Sequence, residues 1–135
     1  MSHSVRQSRD SDVYIKVVSR LLHAGAWDNL QKVISKLHPS DLAEIIQHTP
    51  TSDQQVLLPA ILKGQKLGAT LLELHEDMRL EIARGMDDQL ICDLLVDMHS
   101  DDASELMQSL ESERVEQIVG RIPDQYARRR LRQIL

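Results

Sequence analysis

The chain repeats itself over residues 74–122, which read LHEDMRLEIARGMDDQLICDLLVDMHSDDASELMQSLESERVEQIVGRI. An apolar residue returns every 12 positions, at Leu74, Met86, Met98, Leu110 and Ile122. Eight and nine residues behind each of the first four comes a mostly aliphatic pair: Ile82-Ala83, Leu94-Leu95, Leu106-Met107 and Ile118-Val119. A unit of this length is too long for a hairpin strand and suits a helix of about 8 or 9 residues followed by a tight turn.

The same spacing continues towards the N-terminus. Aliphatic pairs return at 12-residue intervals, at Leu21-Leu22, Val33-Ile34, Ile45-Ile46 and Leu57-Leu58. One extra residue separates the two halves, and we predict a turn from Gly64 to Gly68. Repeats of about 24 residues per helix pair are typical of stacked α-solenoids. We therefore predict an all-α superhelical solenoid of about ten short helices over residues 13–135, after a disordered lead-in over residues 1–12.

The composition favours the same class. The 135 residues include no Phe, one Trp and two Tyr, so the core must consist of Leu, Ile, Val and Met, which suits helices better than sheets. The single cysteine, Cys92, excludes an internal disulfide and fits a reducing compartment, and we expect it to be buried without a chemical role. No apolar run approaches the ~18 residues of a membrane span, and no signal peptide opens the chain. We predict a soluble, cytosolic chain.

Several residues mark helix boundaries. Gly25 can end the first helix, and Pro39 occupies the first position of another, with acidic residues in the following turn. We expect Pro59 to kink or shorten its helix. In the second half, helices are expected to start near Asp77, Asp87, Ser100, Glu111 and Pro123. Isolated helices of this length are unstable in water, so the domain is expected to fold as a block.

Acidic residues are concentrated in the middle of the chain. Residues 73–116 carry 14 acidic and 3 basic side chains, a balance of −11, whereas residues 1–72 sum to +2 and residues 117–135 to +4. One interpretation is that these carboxylates complement helix dipoles on a solvated face. The other is a divalent cation site, since Mg²⁺ binds through one or two carboxylates and several waters. Composition alone leaves both open.

Two stretches resemble the cytosolic N-terminal domain of MgtE-type magnesium transporters. They are residues 37–44, LHPSDLAE, and residues 98–107, MHSDDASELM, and the resemblance extends over about residues 13–135. It implies a right-handed superhelix of short helices that precedes a tandem CBS module and a membrane pore in a homodimeric transporter. It further implies a domain on the cytosolic side of the membrane that senses intracellular Mg²⁺ and, through the CBS domains of the same chain, helps close the channel.

The resemblance also implies which residues meet the metal. In that family, carboxylates at the start of a helix with the pattern Asp-Asp-x-x-acid take part in Mg²⁺ sites that face the CBS module. Here they match Asp101, Asp102 and Glu105. One position departs from the pattern, because a glutamate of the family aligns with Ala69. We expect Mg²⁺ to be bound weakly and to be shared with another domain.

The end of the chain agrees with a fragment. Ile134 falls 12 residues after Ile122, at the opening of a further repeat, so the full-length protein is expected to continue. The fragment itself is not expected to insert into the membrane.

Other polar residues offer weaker signals. His38, His75 and His99 lie 37 and 24 residues apart without a Cys or a second close His, so they are expected to be turn or cap residues rather than zinc ligands. The C-terminal arginines could meet phosphates, but a solvated helix face or a counter-charge to the acidic middle is favoured over nucleic-acid binding: Arg121, Arg128, Arg129, Arg130 and Arg132. No phosphate loop, nucleophile elbow or His-Glu metal motif is present, so we do not predict an enzyme.

Two functions remain from the sequence. The first is a Mg²⁺-responsive regulatory domain of a transporter. The second is a helical-repeat scaffold that only binds another protein, as armadillo-like modules and flagellar rotor-switch proteins do.

Overall fold

The computed structural model describes the backbone of residues 2–63 and 66–135 and the side chains of residues 12–61 and 66–135. Within these ranges the chain forms ten α-helices and no strand, which confirms the all-α prediction. The helices are α1 (Ser2–Ala24), α2 (Trp27–Lys36), α3 (Pro39–Gln47), α4 (Thr51–Lys63), α5 (Leu67–Glu73), α6 (Glu76–Gly85), α7 (Asp88–Asp97), α8 (Ser100–Gln108), α9 (Ser112–Gly120) and α10 (Gln125–Gln133). The superhelical arrangement of these helices stays a prediction.

The chain divides into two compact units, Met1–Glu73 and Leu74–Leu135. In the first unit α3 packs against α5, and α1 contacts α2, α3 and α4. In the second unit α7 packs against α9, while α8 contacts both α9 and α10. Each unit therefore has contacts between helices that are not neighbours in the chain.

The repeat of the second unit appears directly in its helix starts. The helices α6 to α9 begin 12 residues apart, at Glu76, Asp88, Ser100 and Ser112. Each lies within one residue of the start expected from the sequence, and α10 begins two residues after the expected Pro123. Short extended turns separate these helices, so the apolar period of the sequence becomes a period of helix and turn.

The first helix ends where the sequence predicts and begins earlier than its apolar pattern. Gly25 has φ +66°, and Ala26 N–H donates to Leu21 O over 3.0 Å, which closes α1 by a left-handed turn that suits glycine. The backbone of residues 2–11 is helical, but their side chains lie outside the described part, so the order of this segment is not tested and the predicted lead-in stays a prediction. Val13, expected on the apolar face, is exposed because the buried stripe consists of Val18 and Leu22.

The segment around Pro59 and Gly68 differs from the prediction. The helix α4 continues past Pro59 to Lys63, so the proline does not end it. Gly68 lies within α5, so the predicted turn from Gly64 to Gly68 is wrong at its C-terminal end, while residues 64–65 lie outside the described residues. Leu67 and Leu71 explain the difference, because both are buried one turn apart and their packing outweighs the low helix propensity of glycine.

The repeated aliphatic pairs form most of the core. Both members are buried in the pairs at 45/46, 82/83, 94/95, 106/107 and 118/119. In the pairs nearer the N-terminus only Leu22, Ile34 and Leu57 are buried, and Leu21, Val33 and Leu58 are half-buried. All of these residues lie in helices, as the repeat predicts.

Truncating Leu95 tests the core. This side chain is 0% exposed, so Leu95→Ala is expected to lower the free energy of unfolding by about 2 to 5 kcal/mol, measured by urea denaturation. Asp87→Ala is the control, since Asp87 is exposed before α7 and makes no side-chain capping hydrogen bond. Equal losses in the two variants would contradict this description of the core.

Three helices end in one manner that the sequence did not reveal. The residue that follows each of α2, α6 and α7 is apolar and has an extended backbone: Leu37, Met86 and Met98. The carbonyl of each accepts a hydrogen bond from a cation about 30 residues further along the chain, at Lys66, Arg114 and Arg130 respectively. The last carbonyls of a helix lack intrahelical partners, and a cation also complements the negative end of the helix dipole.

Each cation contacts more than one carbonyl. Lys66 Nζ also donates to Ser35 O at 2.8 Å, and Arg114 Nη1 donates to Ala83 O at 2.6 Å. Arg130 Nη2 donates to Val96 O at 3.1 Å and Leu95 O at 3.4 Å. These side chains therefore close helix ends and join distant parts of each unit.

Two neighbouring arginines of α10 provide a matched test. Arg130→Gln should lower the free energy of unfolding by about 1 to 3 kcal/mol, because it removes charged hydrogen bonds to partly buried carbonyls. Arg129→Gln should change it by no more than about 0.5 kcal/mol, since Arg129 is exposed. Urea denaturation of both variants measures the difference, and a similar loss at Arg129 would show that only the net charge matters.

Candidate metal site on helix α8

The three predicted metal-binding residues lie on one short helix. Asp101 and Asp102 occupy the first turn of α8, and both are exposed. Glu105 follows one turn later, with its side chain 54% exposed. Carboxylates in a first turn complement the positive end of the helix dipole, which accounts for their presence whether or not they bind a cation.

Asp101 and Asp102 make no hydrogen bond or ion pair with another residue in the described ranges. No group of three or more His, Cys, Asp or Glu side chains that could hold a metal ion occurs among the residues described. Two exposed carboxylates suit a hydrated Mg²⁺ that makes one or two direct protein contacts, but they do not form an enclosed site. Metal binding by these residues stays a prediction.

Glu105 has a cationic neighbour that sequence reasoning missed. Arg79 of α6 is buried, and its Nη1 atom lies 3.6 Å from Glu105 Oε1. The same guanidinium donates to Ser109 Oγ at 3.3 Å and to Leu74 O at 3.2 Å. Glu105 is therefore the acidic partner of a buried cation, unlike the two aspartates.

A second arginine holds the start of α8. Arg130 Nη1 donates to Ser100 Oγ and to Met98 O, both at 3.2 Å. Ser100 is the first residue of α8 and Asp101 is the second. The helix start that carries the aspartates is thus tied to α10 by contacts on its neighbouring residues.

A separate cleft of about 650 Å³ lies within the second unit. Arg114 Nε and Asp88 Oδ1, two residues of its lining, form an ion pair at 2.9 Å, and Arg121 approaches Asp88 within 3.6 Å. The exposed Arg84 and Glu111 also line the cleft. None of the three predicted metal-binding residues lines it, so cavity size does not locate the candidate site.

The histidines and the cysteine have the expected positions. His38, His75 and His99 are the N-cap residues of α3, α6 and α8, which confirms that they are turn or cap residues. Cys92 is buried, and its burial raises the pKa of the thiol, with a further rise caused by the neighbouring Asp93 carboxylate. A raised pKa disfavours the thiolate, which is the reactive form.

The C-terminal arginines fall into two groups. Three contact the chain: Arg121 approaches Asp88, Arg128 donates to Ile122 O, and Arg130 holds the end of α7. Arg129 and Arg132 are exposed. The expected counter-charge to the acidic region is therefore seen at Arg121, while most of the other contacts go to backbone carbonyls.

No helix in the described ranges is both long and apolar enough to cross a bilayer. The fold and the site define a class: an all-α domain of short helices with exposed carboxylates at one helix start. The chain belongs to the family of the MgtE intracellular N domain, because the model of that family matches residues 37–135, which are most of the chain.

One solved structure is similar in fold. It is described as the crystal structure of the soluble part of a magnesium transporter, and it matches with a TM-score of 0.77 and 13% sequence identity over 91% of this chain. The match covers 48% of that chain, so this chain spans about half its length. At this identity the likeness shows the fold alone. A search of curated proteins gave no match.

The division of the arginines predicts weak interaction with nucleic acid. Two exposed cations, Arg129 and Arg132, can neutralise only a few phosphates, so no salt-sensitive binding to single-stranded or duplex nucleic acid is expected near physiological ionic strength. Fluorescence anisotropy with labelled oligonucleotides measures this. A micromolar affinity that falls steeply with added salt would contradict the expectation.

Proposed function

We propose that this chain is the regulatory domain of a magnesium transporter on the cytosolic side of the membrane. In this proposal it responds to intracellular Mg²⁺ and helps close the pore through contacts with a CBS module that follows in the same chain of a homodimeric protein. Membership of the MgtE intracellular N domain family supports the transporter. The single observation that supports the site is the exposed, unpaired pair Asp101 and Asp102 on a held helix start.

The proposed contact needs carboxylates on both sides. Asp101 and Asp102 provide one side, and the CBS module is proposed to present acidic residues opposite them. Two carboxylates about 4 Å apart repel by about 1 kcal/mol in water and by about 4 kcal/mol near a protein surface. Mg²⁺ supplies the positive charge that removes this repulsion when it is bound.

These magnitudes are sufficient for a switch. Moving a two-state equilibrium from 1:99 to 99:1 requires about 5.5 kcal/mol of differential binding. Two carboxylate pairs near a protein surface supply a repulsion of that order. The arrangement of two domains can therefore change without a large change inside this chain.

Neutralising the aspartates in the full-length transporter tests the proposal. Asp101→Asn/Asp102→Asn should weaken closure at high internal Mg²⁺, because the carboxylates that share the cation are removed. Transport or channel current as a function of internal Mg²⁺ measures the shift. The control is Glu113→Gln/Glu116→Gln, which removes two exposed acids from α9 and should close at the same Mg²⁺ concentration as the parent.

Closure at an unchanged Mg²⁺ concentration in the aspartate variant would leave these residues as helix-start acids only. The 135-residue chain by itself should keep the same shape and nearly the same stability when Mg²⁺ replaces Na⁺ at matched ionic strength. A complete lack of Mg²⁺ dependence in the transporter together with tight binding of a protein partner would favour the scaffold function.

A further inference from the structure

We infer that the buried Arg79 regulates the α8 site by holding Glu105 as its own counter-ion, so that Glu105 contributes little to Mg²⁺ binding. This inference rests on the proposed function of Asp101 and Asp102. It separates the three matched carboxylates into two that are available to a cation and one that is already neutralised. Arg79 is in this sense a positioning residue, since it acts on the site through Glu105.

The geometry supports this role. The Arg79 side chain is 11% exposed, whereas that of Glu105 is 54% exposed, so the ion pair links the interior to the surface of α8. Ser109 Oγ accepts from Arg79 and donates to Glu105 O at 3.2 Å. Arg79 is thus joined to α8 both through the carboxylate of Glu105 and through the last turn of the helix.

Competition follows from the different surroundings of the two charges. A cation that binds Glu105 must share the carboxylate with a guanidinium 3.6 Å away, and like charges at this distance repel. If Glu105 instead turns away from Arg79, a buried positive charge loses its acidic partner, which destabilises the fold. Both routes lower the affinity of the cluster for Mg²⁺, whereas Asp101 and Asp102 have no such neighbour among the described residues.

Mg²⁺ titration of the 135-residue chain, followed by the amide chemical shifts of Asp101 and Asp102, tests the inference. Arg79→Met should tighten Mg²⁺ binding by about 3- to 10-fold, because it releases Glu105 as a third carboxylate. Arg84→Met is the matched control: it removes an exposed arginine from the same helix and should change the affinity by less than about twofold.

Two further variants complete the test. Arg79→Met/Glu105→Gln should return to the parent affinity, because the released carboxylate is gone. Glu105→Asp, at an exposed position, should tighten binding in the same direction as Arg79→Met, since its shorter side chain withdraws the carboxylate from Arg79. This variant decides the matter if Arg79→Met does not fold, as circular dichroism will report.

The outcomes distinguish the two proposals. A folded Arg79→Met with unchanged Mg²⁺ affinity, beside measurable binding in the parent, would overturn the role of Arg79 and leave the aspartate site intact. Unchanged affinity in Glu105→Asp would do the same. An Mg²⁺ response at Asp101 and Asp102 that is absent from every variant and from the parent would overturn both. A purely structural Arg79 would lower the unfolding temperature without changing the affinity.

Discussion

The closure of helix C-termini by distant cations is the interaction on which each unit depends. A helix of 9 or 10 residues leaves four carbonyls without intrahelical partners, which is a large share of its backbone. Lys66 supplies donors to the end of α2, Arg114 to the end of α6, and Arg130 to the end of α7. Without these donors the turns between helices would place unsatisfied carbonyls beside the core.

The candidate site inherits its rigidity from the same contacts. Arg130 fixes the residues around the start of α8, and Arg79 contacts Glu105 and Ser109 nearer its end. The aspartates are therefore displayed on a helix that is held at both ends. A partner that meets Asp101 and Asp102 finds them already ordered by the backbone, which lowers the entropic cost of forming a weak contact.

The sequence predicts the parts of the structure that repeat. The helix starts of the second unit and the buried pairs follow from the 12-residue period, because apolar burial and turn position share that period. The cations do not follow from it: Lys66, Arg114 and Arg130 stand at unequal distances from the carbonyls they contact. The tie between Arg79 and Glu105 escaped for the same reason, since only the packing of α6 beside the end of α8 brings them together. Gly68 shows the opposite error, in which local propensity was trusted over burial.

The long sequence separations of these contacts also determine when the helices can be completed during synthesis. The end of α7 at residues 95–98 has its partner only after residue 130 has been made, and the end of α6 waits for residue 114. At about 5 to 20 residues per second, each helix end spends seconds without its cation. A nascent chain that stops within α9 would expose the open end of α7, so the second unit becomes fully closed only when its last helix emerges.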